Sequence, residues 1–337
     1  MSAPQGHVGA GADVPLLEVV DLRTYFALPR GLLKAVDGVS FELRAGETLG
    51  IVGESGSGKS VLARSLIGLL PGGVTRTPGG QVIFGGRDLR ALPERTMRTV
   101  RGREIAMIFQ DPMTSLNPVL TIGRQIGQVL RQHTDLSSAA AAERAVELLS
   151  EVGIPDPRQR AREYAHRLSG GMRQRVVIAI ALACSPRLLI ADEPTTALDV
   201  TVQAQILDLL RRLQDRHAMA LILITHNLGV VAEMCDDVAV MYAGRVVERG
   251  QAAEVLLRPR MRYTHALLQS VPRADSASHA RLPVIAGQPP NLIDPPEGCR
   301  FAARCAHREA RCESITPPET CTASDHRYAC WNPLRED

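Results

Sequence analysis

The sequence predicts an α/β fold built around a largely parallel sheet. Two runs, RLLIAD at 187–192 and ALILIT at 220–225, are almost continuously apolar. Such runs are typical of parallel strands that helices cover on both faces. A helical segment, TVQAQILDLLRRLQDR at 201–216, lies between them. Strands that alternate with helices in this way define the α/β class.

The other segments depart from this pattern and predict further parts. Alternating runs such as LEVVDL and VSFEL, between residues 16 and 47, predict antiparallel strands. Residues 1–14 are rich in Gly, Ala and Pro, and we expect them to be disordered. The Ala-rich run AAAAERAVELL predicts a helical subdomain at about 111–170, within a domain spanning 15–255. We expect strands to stop near residue 250, where a Pro-rich stretch introduces a separate small C-terminal region, 256–337.

Composition and charge limit the classes of function. The chain has 337 residues, 45% of them hydrophobic, which argues against a disordered protein. Its net charge of +3 gives no electrostatic argument for binding nucleic acid, and we expect no such partner. No secretory leader is visible, and the apolar stretch VVIAIALAC at 176–184 is about half the length of a membrane span. We therefore expect a cytosolic setting with reduced thiols.

A phosphate-binding loop follows the predicted strand ETLGIV. The segment GESGSGKS at 53–60 matches the pattern G-x-x-x-x-G-K-[ST], with a helix directly after it. Glycines allow backbone N–H groups to surround phosphates, and the helix N-terminus adds a favourable dipole. Lys59 is placed to reach the β and γ phosphates, and the Ser60 hydroxyl to ligate Mg²⁺. The predicted ATP-binding residues are Gly53, Glu54, Ser55, Gly56, Ser57, Gly58, Lys59 and Ser60.

Two acidic residues end the buried run RLLIAD. Asp192 is the last residue of the run, where its carboxylate is placed to hold Mg²⁺ directly or through water. Glu193 follows it and is predicted to be the general base for an attacking water. Taken alone, Glu193 fits a solvated charge at a strand end equally well, but a complete phosphate loop in the same chain favours catalysis.

A second Gly-rich turn, LSGGMRQR at 168–175, identifies the type of nucleotide-binding protein. With it the chain resembles the ATP-binding-cassette (ABC) ATPases. The resemblance implies an ABC-type P-loop NTPase fold: an N-terminal antiparallel β subdomain, a RecA-like core, a helical subdomain and, here, a cysteine-rich C-terminal region. Family motifs then match residues that would bind nucleotide: Gln110, Ser169, Gly170, Gly171, Asp199 within Ala197-Leu198-Asp199, His226, and Phe26, with Tyr25 as the alternative ring that stacks on adenine.

The same resemblance implies roles and partners for these residues. Glu193, His226 and Gln110 would be catalytic, and Ser60, Gln110 and Asp192 would bind Mg²⁺. A head-to-tail dimer with a second ABC ATPase, most simply a paralogue, would place ATP between the phosphate loop of one subunit and the LSGG turn of the other. The alternative interpretation of Phe26 is an ordinary residue of the hydrophobic core.

Longer segments are similar to one branch of the family. FQDPMTSLNPVLTIGRQI at 109–126 and RYTHALL at 262–268, which is followed by Val271-Pro272, look like the ATPase subunits of dipeptide and oligopeptide importers. This implies two transmembrane permease subunits, an extracytoplasmic substrate-binding protein, and a location at the cytoplasmic face of the membrane. Peptides are the expected solute, and nickel or another small solute is the alternative. A non-transport ABC ATPase is disfavoured, because it would usually carry a long coiled-coil insertion or a second cassette.

Five of the seven cysteines lie between residues 299 and 330. Spacing alone leaves an iron–sulfur cluster and a zinc site equally open, with His307 and His326 as possible zinc ligands. The family resemblance implies a [4Fe–4S] cluster bound by Cys299, Cys305, Cys312 and Cys330. Cys321 has no counterpart in that motif, and Cys184 and Cys235 are predicted to be small core residues.

Overall fold

The computed structural model describes residues 14–111, 115–196, 198–270 and 284–335. The predicted disorder of residues 1–14 therefore lies outside the described residues, except for Val14. Ala197, Val271 and Pro272 also lie outside them.

The N-terminal strands form an antiparallel sheet, as predicted. The spatial order is β2-β1-β5-β6, and β4 pairs with β1 as well. The strands of this sheet are β1 (Leu17–Leu28), β2 (Gly31–Leu43), β4 (Thr75–Arg76), β5 (Gln81–Phe84) and β6 (Arg87–Asp88). Leu17, Val19 and Leu22 of β1 are buried on a core, and an irregularity in register between Val19 and Leu22 shifts the alternation by one residue.

The main sheet has eight strands in the described residues, in the order β12-β13-β11-β10-β3-β9-β8-β7. Its five consecutive strands from β10 to β7 are mutually parallel, which confirms the predicted α/β class. The strands are β3 (Thr48–Val52), β7 (Ile105–Ile108), β8 (Leu188–Asp192), β9 (Ala220–Ile224), β10 (Asp237–Tyr242), β11 (Arg245–Gln251), β12 (Thr320–Cys321) and β13 (Arg327–Tyr328). Every residue of β3, β8 and β9 is buried, because helices cover one face of the main sheet, and helices together with the antiparallel sheet cover the other.

Helices lie between the strands of the main sheet and in the segment after residue 111. The predicted helical stretch after residue 111 contains α3, α4 and α5, and its core is continuous with α6 and one face of the main sheet. The helices that lie fully within the described residues are α1 (Lys59–Leu66), α2 (Glu94–Val100), α3 (Ile122–His133), α4 (Ser138–Glu151), α5 (Pro157–Arg160), α6 (Gly170–Leu182), α7 (Val200–His217), α8 (Leu228–Met234), α9 (Ala252–Leu257), α10 (Arg262–Gln269) and α11 (Ala310–Ser314). None of the helices in the described ranges is long and apolar enough to cross a membrane.

The C-terminal region departs from the sequence-based expectation. The prediction that strands stop near residue 250 is wrong, because β13 pairs with β11 and so extends the main sheet. Tyr242, Tyr263 and Phe301 also form one aromatic cluster, with ring centroids 4.5 to 5.4 Å apart. The C-terminal region therefore packs on the edge of the main sheet and shares a core with it.

Candidate ATP site and cysteine-rich region

The phosphate loop, residues 53–58, connects β3 to α1 in a conformation that requires glycine. Gly53 has φ 146° and Gly58 has φ 103°, both in the region that side chains disfavour. A Cβ at Gly53 would lie 2.1 Å from the Met241 carbonyl oxygen, and one at Gly58 would lie 2.2 Å from that of Ala35. The loop is thus packed tightly against its surroundings, and α1 begins directly after it.

Lys59 is folded back across this loop. Its Nζ donates hydrogen bonds to the carbonyl oxygens of Gly53, at 2.7 Å, and Glu54, at 3.0 Å. Burial lowers the pKa of Lys59, and the nearby carboxylates of Glu193, Asp192 and Glu54 oppose that shift. The ammonium group therefore lies inside the loop, where it can exchange its carbonyl partners for phosphate oxygens.

Asp192 and Ser60 form a pair of oxygen donors beside the loop. The Ser60 hydroxyl donates to Asp192 Oδ1 at 3.0 Å. The other oxygen, Oδ2, is buried and has no hydrogen-bond partner in the structure. Burial raises the pKa of Asp192. A buried carboxylate oxygen without a partner, next to a hydroxyl, fits a hard divalent cation such as Mg²⁺.

Glu193 lies at the centre of the predicted catalytic group. Its Oε2 accepts hydrogen bonds from Gln110 Nε2 at 3.1 Å and from the Thr196 hydroxyl at 2.9 Å. His226 Nδ1 lies 3.4 Å from Glu193 Oε1. The backbone of Glu193 has φ 49°, a strained conformation for a non-glycine residue, and its N–H donates to the Ile224 carbonyl at 2.9 Å. The structure therefore brings Gln110, Glu193 and His226 together.

The order of the main sheet explains this convergence. The strands β3, β9, β8 and β7 are parallel neighbours, so their carboxyl ends lie along one edge of the sheet. The phosphate loop follows β3, His226 follows β9, Glu193 follows β8 and Gln110 follows β7. This edge is where ligands bind in open α/β sheets.

The LSGG turn occupies another part of the surface. Ser169 is the N-cap of α6, and its hydroxyl accepts from the Met172 N–H at 3.3 Å. Gly171 packs against Val202, since a Cβ there would lie 2.7 Å from a Val202 methyl group. Asp199 is the N-cap of α7 and accepts from the Val202 N–H at 2.9 Å. Ser169, Gly170 and Asp199 are exposed, so the turn and the start of α7 present one open surface.

The two candidate rings for adenine differ in their surroundings. The Tyr25 ring is buried, and its hydroxyl donates to Asp37 Oδ1 at 2.5 Å. Burial and this hydrogen bond raise the pKa of Tyr25 to about 12. Phe26, the next residue of β1, is partly exposed. Phe26 is therefore the more exposed of the two candidate rings.

The four predicted cluster ligands lie in the C-terminal region without closing into a metal site. Cys299 donates its backbone N–H to the Cys312 carbonyl at 2.7 Å. Burial raises the pKa of the Cys299 thiol to about 11, and Cys330, Cys312 and Cys305 contribute to the shift. Within the described residues, no group of three or more His, Cys, Asp or Glu is arranged to hold a metal ion. Four thiols are the right type and number of ligands for a [4Fe–4S] cluster, but in this structure they are not arranged around one metal position.

The remaining histidines and cysteines are placed elsewhere. His326 is buried and hydrogen-bonds Glu248 at 2.8 Å, so it is held by β11. His307 is exposed. Cys321 is exposed in β12, where its thiol hydrogen-bonds the Asp325 carboxylate at 3.4 Å. Cys184 and Cys235 pack against the apolar core of α6 and the main sheet, as predicted.

Three residues at the ATP site were missed by sequence reasoning. Thr196 donates to Glu193, Tyr263 accepts from the Glu54 N–H at 2.9 Å, and Arg304 pairs with the Glu54 carboxylate. Thr196 lies only three residues after Glu193, and this short spacing could have predicted a contact between the two side chains. Tyr263 and Arg304 are more than 200 residues from Glu54, and no spacing rule joins them.

Comparisons with known proteins agree with this geometry. Residues 36–196 match the family model "ABC transporter", and residues 247–312 match "Oligopeptide/dipeptide transporter, C-terminal region". The chain is 50% identical to the dipeptide transport ATP-binding protein DppD of Bacillus subtilis, over 94% of both chains. It is 52% identical to the oligopeptide transport ATP-binding protein OppD of Salmonella typhimurium, over 95% of both.

A solved structure is similar over the nucleotide-binding part. It is an ATP-binding cassette, determined as a dimer in a post-hydrolysis state with ADP and phosphate, and it superposes with a TM-score of 0.63 at 25% identity. The match covers 70% of this chain and 98% of that one. The motifs, the fold and these relatives lead to one conclusion: the chain belongs to the ATP-binding proteins of dipeptide and oligopeptide ABC transporters.

Proposed function

We propose that this chain binds and hydrolyses ATP to power the import of dipeptides or oligopeptides. The observation that carries the proposal is the contact of Glu193 with Gln110 and His226 at the strand ends beside the phosphate loop. The 50% identity to a dipeptide transport ATP-binding protein, over 94% of both chains, supports peptides as the solute.

Each residue of the site has a role in this reaction. The N–H groups of the phosphate loop and the Lys59 ammonium bind the β and γ phosphates. Glu193 accepts the proton of the attacking water, and Thr196 and Gln110 hold its carboxylate in place through hydrogen bonds to Oε2. His226, whose side chain is 70% exposed, is accessible to contact the γ phosphate. Phe26 stacks on adenine.

Mg²⁺ fits the oxygens of Asp192 and Ser60, with the Gln110 side chain as a further ligand. When bound, it would neutralise charge that develops on the transferred phosphoryl group. Asp192 then has a partner for its buried Oδ2, and Ser60 keeps the carboxylate oriented.

The exposed LSGG turn indicates how the site is completed. Ser169, Gly170 and Gly171 would face the phosphate loop of a second ATPase, with Asp199 at the same interface. The chain would thus contribute two half-sites to a head-to-tail dimer, most simply with a paralogue. The dimeric form of the solved cassette supports this arrangement. Closure around ATP and reopening after hydrolysis would drive two permease subunits, at the cytoplasmic face of the membrane, fed by an extracytoplasmic binding protein.

The C-terminal region, 256–337, would carry a [4Fe–4S] cluster on Cys299, Cys305, Cys312 and Cys330. Burial raises the pKa of the Cys299 thiol to about 11 and the other three thiols add to that shift, which supports the proposal that the four thiols share a ligand. His326 is engaged by Glu248, so four thiolates are favoured over a zinc site that uses this histidine. The cluster would stabilise a region whose described helices and strands are only two to eight residues long.

Purification with the membrane partners tests the function. The chain, carrying an affinity tag, is isolated from membranes of its source organism, and ATP hydrolysis is measured with and without added binding protein and peptide. We expect permease subunits to copurify and dipeptides or oligopeptides to stimulate hydrolysis. Copurification of ribosomes or nucleic acid instead of permeases would contradict the proposal, and stimulation by nickel alone would contradict the peptide assignment.

A further inference from the structure

A carboxylate within the phosphate loop poses an electrostatic problem. Glu54 is the second residue of the loop, next to the position that the triphosphate occupies. ATP carries several negative charges, so an uncompensated Glu54 would repel it. Near a protein surface the effective dielectric constant is well below that of bulk water, so this repulsion would weaken ATP binding.

The structure places a compensating charge on Glu54. Arg304 donates from Nη1 to Glu54 Oε2 at 2.5 Å and from Nη2 to Oε1 at 2.9 Å, which is a bidentate pair. The Arg304 side chain is only 4% exposed, whereas that of Glu54 is 25% exposed. A pair this sheltered is screened by solvent much less than an ordinary surface ion pair.

Arg304 itself is fixed by the C-terminal region. Its Nε donates to the Ala286 carbonyl at 2.9 Å, and Nη2 also donates to the Ile285 carbonyl at 3.1 Å. Its guanidinium carbon lies 5.9 Å from the centre of the Tyr242 ring. The side chain therefore has one defined orientation, with its fork directed at Glu54.

Tyr263 holds the same loop residue through its backbone. Its hydroxyl accepts the Glu54 N–H at 2.9 Å, and its ring is fully buried against Tyr242 and Phe301. The Lys59 ammonium donates a hydrogen bond to the Glu54 carbonyl oxygen. All three polar parts of Glu54 are thus engaged, two of them by residues of the C-terminal region.

We propose that Arg304 is a positioning residue for ATP: it neutralises Glu54 and fixes the start of the phosphate loop from the cysteine-rich region. The inference rests on ATP binding at this loop. It makes the C-terminal region a part of the nucleotide site, in addition to any ligand that the cysteines hold. Loss of Arg304 weakens ATP binding through repulsion by Glu54, and removing the Glu54 charge relieves that repulsion.

A double-mutant cycle tests this inference. The dissociation constant of Mg-ATP is measured by calorimetry for the wild type, Arg304→Gln, Glu54→Gln and the double variant, all confirmed as folded by circular dichroism. We expect Arg304→Gln to weaken binding about tenfold, and the double variant to regain affinity to within about threefold of the wild type. In the assembled importer, the KM for ATP should rise with little change in kcat.

Arg308→Gln is the matched control, because Arg308 lies in the same region with an exposed side chain 3.4 Å from Glu313. It should not change ATP affinity. If Arg304→Gln does not fold, Arg304→Lys replaces it; this variant keeps the charge but loses the bidentate geometry, and should weaken binding less than tenfold.

Three outcomes would overturn the inference: unchanged affinity in Arg304→Gln or, where the lysine variant replaces it, in Arg304→Lys; a double variant no better than the single one; or an equal loss in Arg308→Gln. If the wild type itself shows no Lys59-dependent ATP binding, the proposed function fails instead.

Discussion

The ATP site and the cysteine-rich segment, residues 299–330, are built in contrasting ways. The ATP site lies on the ends of adjacent parallel strands, and Glu193 contacts both Gln110 and His226 there. The four candidate cluster ligands lie on loops and short helices, and within the described residues they do not form a closed metal site. A regular sheet thus preorganises the ATP site, whereas the proposed cluster site would need its ligand to bring the four thiols together.

The largest expected effect concerns the preorganised site. Lys59→Ala removes the ammonium group that would contact two phosphates, so ATP affinity should fall about 100-fold, the combined scale of two charge-assisted hydrogen bonds. Lys34→Ala is a matched control, because Lys34 is the only other lysine of the chain and lies in β2. Calorimetry with Mg-ATP gives both affinities. Equal losses in the two variants would show that the loop has no special part in binding.

A second prediction concerns the cysteine-rich segment. In protein purified without oxygen, Cys312→Ala should lose bound iron and sulfide and unfold at a lower temperature. Cys321→Ala should keep the bound iron and sulfide and the unfolding temperature of the wild type, because the Cys321 thiol is exposed and hydrogen-bonded to Asp325. Iron and sulfide assays with thermal unfolding measure these changes. A colourless wild type with one zinc per chain would contradict the cluster assignment.

A smaller effect concerns the buried carboxylate of Asp192 and its influence on the stability of the folded chain. Burial raises the pKa of Asp192 in the folded chain, so its contribution to stability is present at low pH and is lost as pH rises through the folded-state pKa. Asp192→Asn should therefore stabilise the nucleotide-free chain by about 1 kcal/mol at pH 8, and by less at pH 5. Thermal unfolding at the two pH values measures this difference. Mg-ATP should stabilise the wild type and not the variant; a variant that is less stable at pH 8 would refute the argument.

The smallest effect separates the two aromatic candidates. Phe26→Ala should raise the KM for ATP about threefold to tenfold, the scale of one aromatic stacking contact. Tyr25→Phe should lower the melting temperature through the lost hydrogen bond to Asp37, and leave the KM unchanged. Steady-state kinetics of the two variants distinguish them. An unchanged KM in Phe26→Ala would contradict the assignment of adenine stacking to Phe26.

Sequence reasoning located the phosphate loop and the acidic strand end in the fold better than it located the segments around them. The loop at 53–60 and the strand-end residues Asp192 and Glu193 follow from local patterns, because each motif is short and directly adjoins its strand. The pairing of β13 with β11 and the contacts of Glu54 with Arg304 and Tyr263 join segments far apart in the chain. Such long-range contacts depend on how the C-terminal region packs, and no residue spacing encodes them.

ATP turnover by Glu193→Gln tests the central claim most directly. The variant keeps the size of the side chain and its contacts with Gln110 and Thr196 but removes the base. The account predicts that hydrolysis falls at least about 100-fold, while Mg-ATP still binds and remains intact on the protein. Hydrolysis at the wild-type rate by this variant would contradict the account.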